Sequence, residues 1–430
     1  MADSRRPPVR RKKADGRSVA TPSAPPDGRK AAAPEAVNEP AALSNAVAVK
    51  PLRPELERRR RASLYRRRRL LGTPQGSEVV VDGRPMLSFC SNDYLGLAAD
   101  ARVVQALQQG ADRWGCGAGA AHLVTGHTEA HHALEQALAK FTGRERALLF
   151  SSGYLANLAV LSTLTGRGDT VIEDRLDHAS LIDGARLSGA RLRRYPHNDL
   201  ARAERLLREA KGERLLAVDG VFSMDGDLAP LPELARLCRE QEAWLMVDDA
   251  HGLGVLGERG GGSLEYRRLD SRQVPVLMGT LGKALGTAGA FVAGSAELVE
   301  TLIQQARTYI FTTAAPAALA EATLRSLELV EQESWRRERL WELVSSFRAG
   351  AAALGLPLAD SPTPIQPLVA GSAQKALAWS RHLEEQGILV TPIRPPTVPE
   401  GTARLRITFT ALHEDAHLER LLQALESLPR

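Results

Sequence analysis

From Ala147 onward the chain alternates short apolar runs with stretches of helical periodicity: ALLF precedes GYLANLAVLSTL, DTVIED precedes HASLIDGARL, and RLLAVDG precedes LPELARLCRE, before WLMVDD and VPVLMG. That is the rhythm of repeated βαβ units and predicts a mostly parallel sheet with helices on both faces. In such sheets ligands sit beyond the carboxyl ends of the strands. Three segments with chemically useful side chains fall there: Ser152 to Tyr154, Asp248 to His251, and Thr280 to Lys283. After about residue 330, helical patterns surround two further candidate strands, IQPLVAG and RLRITFT, which predict a smaller α+β lobe. The expected organisation is an α/β fold with an N-terminal segment over 51–95, a large domain over 96–325 and a small C-terminal domain over 326–430. No internal repeat is found.

Residues 1–50 are rich in Pro, Ala, Arg and Lys and lack any periodic apolar pattern. Such a composition cannot bury enough surface to offset the entropy of ordering, so a disordered extension is expected. Asp3, Asp15, Asp27, Glu35 and Glu39 argue against a transit peptide, and no apolar core of a secretory signal is present.

Charge divides the chain the same way. Of a net +5, residues 1–70 carry 19 Lys+Arg against 7 Asp+Glu, leaving 37 against 44 for the rest. The basic character belongs to the front end, so it predicts no nucleic-acid groove in the body. No window of about 18 apolar residues offers a membrane span. Cys90, Cys116 and Cys238 show neither paired number nor metal-ligand spacing, which fits a reducing cytoplasm and no structural zinc.

Lysine is rare here, with only Lys140, Lys211, Lys283 and Lys375 beyond residue 50. Lys283 stands in G-T-L-G-K-A-L-G after a candidate strand, where glycines let a ligand approach and an amine can form a Schiff base. From this feature alone a surface lysine in a glycine-rich turn remains open. W-L-M-V-D-D-A-H-G places Asp248, Asp249 and His251 at a strand end, suited to a protonated ring nitrogen, a metal, or simple capping. F-S-S-G-Y-L-A-N reads as a strand, a tight turn and a helix start, either a phosphate site or a plain N-cap. His178 in D-H-A-S-L follows another strand and suits stacking, proton relay or a structural role.

Two other signals lose on context. G-C-G-A-G-A-A at 115–121 follows a helical pattern instead of a strand, so it is no dinucleotide fingerprint. His127 and His131 have a spacing suited to zinc, but H-T-E-A-H lacks the glutamate of a metalloprotease helix, and a polar channel wall is expected with no metal.

Taken together, G-T-L-G-K, V-D-D-A-H-G, G-V-F-S-M-D-G-D, D-R-L-D-H-A-S-L, S-N-D-Y-L-G-L and R-P-P-T-V-P-E-G-T-A-R-L-R resemble the α-oxoamine synthases from about residue 55 to the C-terminus. These are fold type I pyridoxal-phosphate enzymes and homodimers with shared active sites. R-P-P-T-V-P and Y-P-H-N-D-L resemble the branch that condenses L-alanine with a pimeloyl thioester of coenzyme A or acyl carrier protein; branches using glycine or serine share the core. Ala120-Ala121-His122 departs from the Ser-Arg pair of many members.

The resemblance implies roles by motif. Lys283 resembles the Schiff-base lysine and general base, Asp248 the partner of the pyridine nitrogen, and His178 the imidazole stacked on the ring and placed to polarise the keto oxygen. Ser223 and His251 resemble the groups bonding the phenolic oxygen. Gly153, Tyr154 and Thr280 resemble phosphate contacts, with Thr312 and Thr313 reaching the other subunit's cofactor. Arg406 resembles the carboxylate-binding arginine, and Thr397 with Arg66, from the run Arg66 to Arg69, the acyl-substrate contacts.

Overall fold

The computed structural model describes residues 50–62 and 64–429. Apart from Lys50, the extension expected to be disordered lies outside the described residues. Met1–Arg67 and Arg68–Arg430 are separate compact units. The first contains the helix Arg53–Arg61, none of whose side chains is buried, with Arg58 and Arg59 paired to Glu55.

Thirteen strands order the second unit: β1 Glu78–Val81, β2 Arg84–Ser88, β3 Arg146–Phe150, β4 Thr170–Asp174, β5 Arg191–Tyr195, β6 Arg214–Asp219, β7 Trp244–Asp248, β8 Val276–Thr280, β9 Ala290–Gly294, β10 Ile365–Gly371, β11 Ile388–Leu389, β12 Thr391–Ile393 and β13 Ala403–Thr408. The central sheet runs β3-β9-β8-β7-β6-β4-β5. It is parallel except at β9, which is antiparallel to both β3 and β8.

Its strands read as unbroken apolar runs because both faces are covered. Side chains alternate across a strand, so Leu215 and Ala217 of β6 pack with Ala156 and Leu181 in one core cluster. Leu216 and Val218 turn to the opposite face and join Leu206 and Leu234 in another. A strand that must satisfy two apolar layers cannot show the polar alternation of a half-exposed one.

Two strands of the central sheet escaped the apolar pattern. β5, R-L-R-R-Y, is a charged edge strand, and charge on an edge discourages pairing with another chain. β9, A-F-V-A-G, is short and small-residue-rich but entirely buried.

β10, β13 and β12 form an antiparallel sheet, and β1, β2 and β11 a third. In β13 the core takes Leu405 and Ile407, which leaves Arg404 and Arg406 on the opposite face, toward Asp225 and Ser223. Pairing with β10 and β12 on both sides fixes that register, with Arg406 opposite Pro367 and Thr391.

Candidate active site

β6, β7 and β8 are neighbours in the sheet, so their carboxyl ends lie side by side although nearly sixty residues separate the first from the last. The chain leaving these ends brings Asp248, His251, Ser223, Thr280 and Lys283 around a cavity of about 220 Å³, closed by Gly153, Tyr154 and His178 from the neighbouring elements.

Lys283 Nζ lies 2.9 Å from His251 Nε2, and His251 Nδ1 lies 2.6 Å from the Tyr94 hydroxyl. Burial pushes the Lys283 ammonium below its ordinary pKa, opposed by the charges of Asp248 and Asp219. Burial also pushes His251 well down, reinforced by Lys283. A neutral imidazole between a phenol and an amine can accept from one and donate to the other, so it fixes the amine without adding charge.

Asp248 is held at both oxygens. Oδ2 accepts from Asn157 Nδ2 at 2.7 Å and Oδ1 from the Ala250 amide at 3.0 Å. Asn157 Nδ2 also reaches Ser180 Oγ at 2.8 Å, and Ser180 Oγ lies 2.7 Å from His178 Nδ1. One polar chain thus joins the carboxylate at the end of β7 to the imidazole that follows β4. Burial lowers the pKa of His178, partly offset by Asp248.

Ser152 caps the helix Gly153–Leu164, its Oγ accepting from the Leu155 amide at 3.3 Å. The other amides of that first turn have no intrahelical partner and attract an anion. A Cβ on Gly153 would lie 3.4 Å from Met278 Cε, an ordinary van der Waals contact. Tyr154 donates its hydroxyl to Asp183, and Thr280 Oγ1 donates to Gly289 O at 3.1 Å.

Arg406 is buried and clamped at several points. Nε donates to Ser223 O at 2.6 Å, one terminal nitrogen to Thr408 Oγ1 at 3.0 Å, and both terminal nitrogens to Asn92 Oδ1 at 3.2 Å. The forked edge of the guanidinium is therefore aimed at a single amide oxygen, as it would be at a carboxylate.

Other expected residues stand apart. Thr312 and Thr313 do not line this cavity; Thr313 pairs instead with Ala121. Thr397 is exposed, and its amide donates to Arg394 O at 3.0 Å. Arg66 is exposed and belongs to the first unit. His131 is buried with both ring nitrogens engaged, Nδ1 with the Thr128 amide at 3.1 Å and Nε2 with Ala315 O at 2.8 Å. Nδ1 serves as a helix cap, and the ring also lines a small cavity with His122.

Four site residues were not singled out from the sequence: Asn92, Tyr94, Asn157 and Asp219. The first two stand in S-N-D-Y-L-G, a motif carrying the resemblance, and Asn157 lies one helical turn after Gly153. Asp219 occupies the position beside Asp248 in the β6–β7 register.

The residues fit pyridoxal phosphate. An amine with a lowered pKa, a doubly held carboxylate and a helix start converge on one cavity. Asn157 Oδ1 and Asp219 Oδ1 there are buried without a hydrogen-bond partner, as expected of polar atoms facing a ligand.

Comparison with known proteins agrees with this geometry. The family model described as aminotransferase class I and II matches residues 84–425. An 8-amino-7-oxononanoate synthase of Thioalkalivibrio sulfidiphilus (strain HL-EbGR7) is 63% identical over 378 residues, covering 87% of this chain and 96% of that one. Serine palmitoyltransferase from S. paucimobilis, solved with a bound PLP–myriocin aldimine, superposes with a TM-score of 0.83 at 29% identity, covering 88% of this chain and 96% of that one. A solved 8-amino-7-oxononanoate synthase from Francisella tularensis gives 0.70 at 33% identity, covering 79% and 97%.

Proposed function

The chain belongs to the aminotransferase class I and II family, and from that premise we propose that it is a pyridoxal-phosphate acyltransferase of the α-oxoamine synthase type. It joins L-alanine to a pimeloyl thioester, giving 8-amino-7-oxononanoate, carbon dioxide and free thiol, a step of biotin biosynthesis. The observation that carries this reading is the convergence of the Lys283 amine and the Asp248 carboxylate on one cavity, with the Arg406 guanidinium bonded to Ser223 of its lining, together with the high identity to curated synthases over most of the chain.

When bound, pyridoxal phosphate supplies an aldehyde for amine exchange and an electron-accepting ring. Lys283 would hold it through its Nζ amine, and the same amine, its pKa lowered by burial, would serve as the base for the Cα proton of the amino acid. Asp248 keeps the ring nitrogen protonated. Ser223 and His251 bond the phenolic oxygen, while the helix start at Gly153 and Tyr154, with Thr280, holds the phosphate. His178, in the lining of the cavity, would pack against the ring and polarise the keto oxygen of the condensation product. Arg66 and Thr397 contact the acyl chain, whose carrier is coenzyme A or acyl carrier protein. In this reading residues 96–325 hold the cofactor and 326–430 supply the amino-acid anchor.

Arg406 holds the alanine carboxylate, which takes the place of Asn92 Oδ1 at the fork. Arg406→Lys keeps the charge and loses the two parallel bonds, a cost of about 2–3 kcal/mol, roughly a 30- to 150-fold rise in the KM for alanine. Steady-state kinetics with each substrate varied in turn reads this. A rise confined to the thioester KM would assign Arg406 to the acyl site instead.

The working enzyme is a homodimer in the cytoplasm with shared active sites, Thr312 and Thr313 reaching the partner's cofactor. Within two or three residues of the Ala121–Thr313 bridge, Leu123 (51% exposed), Val124 (73%) and Phe311 (71%) expose large apolar side chains. The double substitution Leu123→Asp with Val124→Asp is expected to halve the mass in sedimentation and to abolish turnover. A wild-type protein that sediments as a fully active monomer would remove this part of the reading.

A further inference from the structure

Outside the Lys283 cavity, five ligand-bearing side chains gather where the loop before the helix Glu129–Thr142 folds back on itself. The Gly126 amide donates to Ala121 O at 3.0 Å, and a Cβ at this position would lie 2.1 Å from Ala120 O, so only glycine permits the turn. The turn sets His122 and His127 against the helix that carries His131, His132 and Glu135. His131 is unavailable, since Nδ1 serves the cap and Nε2 meets Ala315 O.

The remaining groups are arranged differently. The donor atoms of His127, His132 and Glu135 all lie within 4.8 Å of one another. His127 Nε2 is 3.9 Å from Glu135 Oε2. Each of these two is anchored through its other atom: His127 Nδ1 lies 3.0 Å from His122 Nδ1, and Glu135 Oε1 accepts from the Leu149 amide at 3.0 Å. A ligating imidazole or carboxylate whose far atom is hydrogen-bonded is held in orientation for a metal. His132 is exposed, one helical turn before Glu135 on the same face, and its Nε2 meets only Gln136 Nε2 at 3.1 Å.

We propose that His127, His132 and Glu135 bind a first-row divalent metal ion of the zinc type, which pins the 115–128 loop to the helix Glu129–Thr142. Two imidazoles and one carboxylate suit zinc, nickel or cobalt, whereas calcium and magnesium take oxygen ligands. Bonds of about 2.0–2.2 Å place tetrahedral donor atoms roughly 3.4 Å apart, so the triad must close by about 1.4 Å at most. The exposed His132 side chain supplies that movement. The pinned loop carries Ala121, the pairing partner of Thr313, and the exposed Leu123 and Val124. The i,i+4 pair His127 and His131 is not the pair that gathers here, because the helix buries His131 and leaves His132 exposed.

Calorimetric titration of the full-length, pyridoxal-phosphate-loaded protein with zinc chloride tests this, in a Cys116→Ser background that removes the exposed thiol. At about pH 8 the solution is above the ordinary histidine value and above the value of about 7 to which burial pushes the Glu135 carboxyl. One zinc per protomer is expected. His132→Gln, on an exposed side chain that leaves the core intact, weakens binding by about tenfold or more, the least that loss of a ligand costs. Glu135→Gln does the same while keeping an acceptor for the Leu149 amide. His382→Gln, at a histidine bonded to Ser427, changes nothing. No zinc bound by the wild type, or equal affinity in the His132→Gln protein, overturns the proposal.

Discussion

Lys283→Ala is expected to abolish turnover while leaving the fold intact. The alanine methyl occupies less space than the lysine stem, in a loop whose neighbours Leu281, Ala284 and Leu285 carry the packing. What disappears is the only amine lining the cavity among the described residues, and with it both the covalent anchor and the base for the Cα proton. General-base loss alone accounts for about 10²–10⁴-fold, so a fall of roughly 10³-fold or more is expected. The chemical readout is separate from activity. After borohydride reduction of pyridoxal-phosphate-loaded protein, peptide mass spectrometry finds the pyridoxyl mass on Lys283 in the wild type and on no residue of the variant. A wild type labelled at Lys140, Lys211 or Lys375 instead would overturn the assignment of the anchor.

Asp248→Asn is expected to act on a different step. The amide is nearly isosteric and can still accept from Ala250 or Asn157, so cofactor affinity changes little. It cannot hold the ring nitrogen protonated, and the electron-accepting power of the ring falls. Loss of one charge-assisted bond is worth about 2–3 kcal/mol, roughly 30- to 150-fold in kcat. The KM for alanine stays within about threefold, because Arg406, not Asp248, holds the carboxylate. Single-turnover measurement of Cα deuterium exchange from labelled alanine follows the affected step. A variant that exchanges deuterium at the wild-type rate would show that Asp248 does not set the electronics of the ring. The opposite signatures of Asp248→Asn and Arg406→Lys, one in kcat and one in KM, separate the two roles within a single series.

Much of the fold was legible because a parallel sheet covered on both faces leaves a local signature. The segments ALLF, TVIED, RLLAVD and WLMVD are apolar whichever neighbour they meet, and IQPLVAG coincides with β10. β5 and β9 left no such mark: an edge strand is free to carry arginines, and a short strand of small residues resembles a loop. The chemistry-bearing motifs were legible for a related reason. Glycines flanking Lys283 and acids ending β7 are backbone and charge requirements that a few consecutive residues express.

Tertiary structure decided what no window of sequence contains. Strand order put the end of β8 beside the ends of β7 and β6, which is why Lys283, Asp248 and Ser223 meet. The register of β13 between β10 and β12 turned Arg406 toward Asn92, more than three hundred residues earlier in the chain. Asn157 and Tyr94 gained their places only when Asp248 and His251 arrived beside them. Helix facing likewise chose between adjacent histidines, burying His131 as a cap and leaving His132 outside with Glu135. Local sequence fixes which residues suit a strand end or a helix start. Which ends share a cavity depends on long-range pairing, and hydrogen bonds as short-ranged as those at Asp248 and Arg406 exist only after that pairing is made.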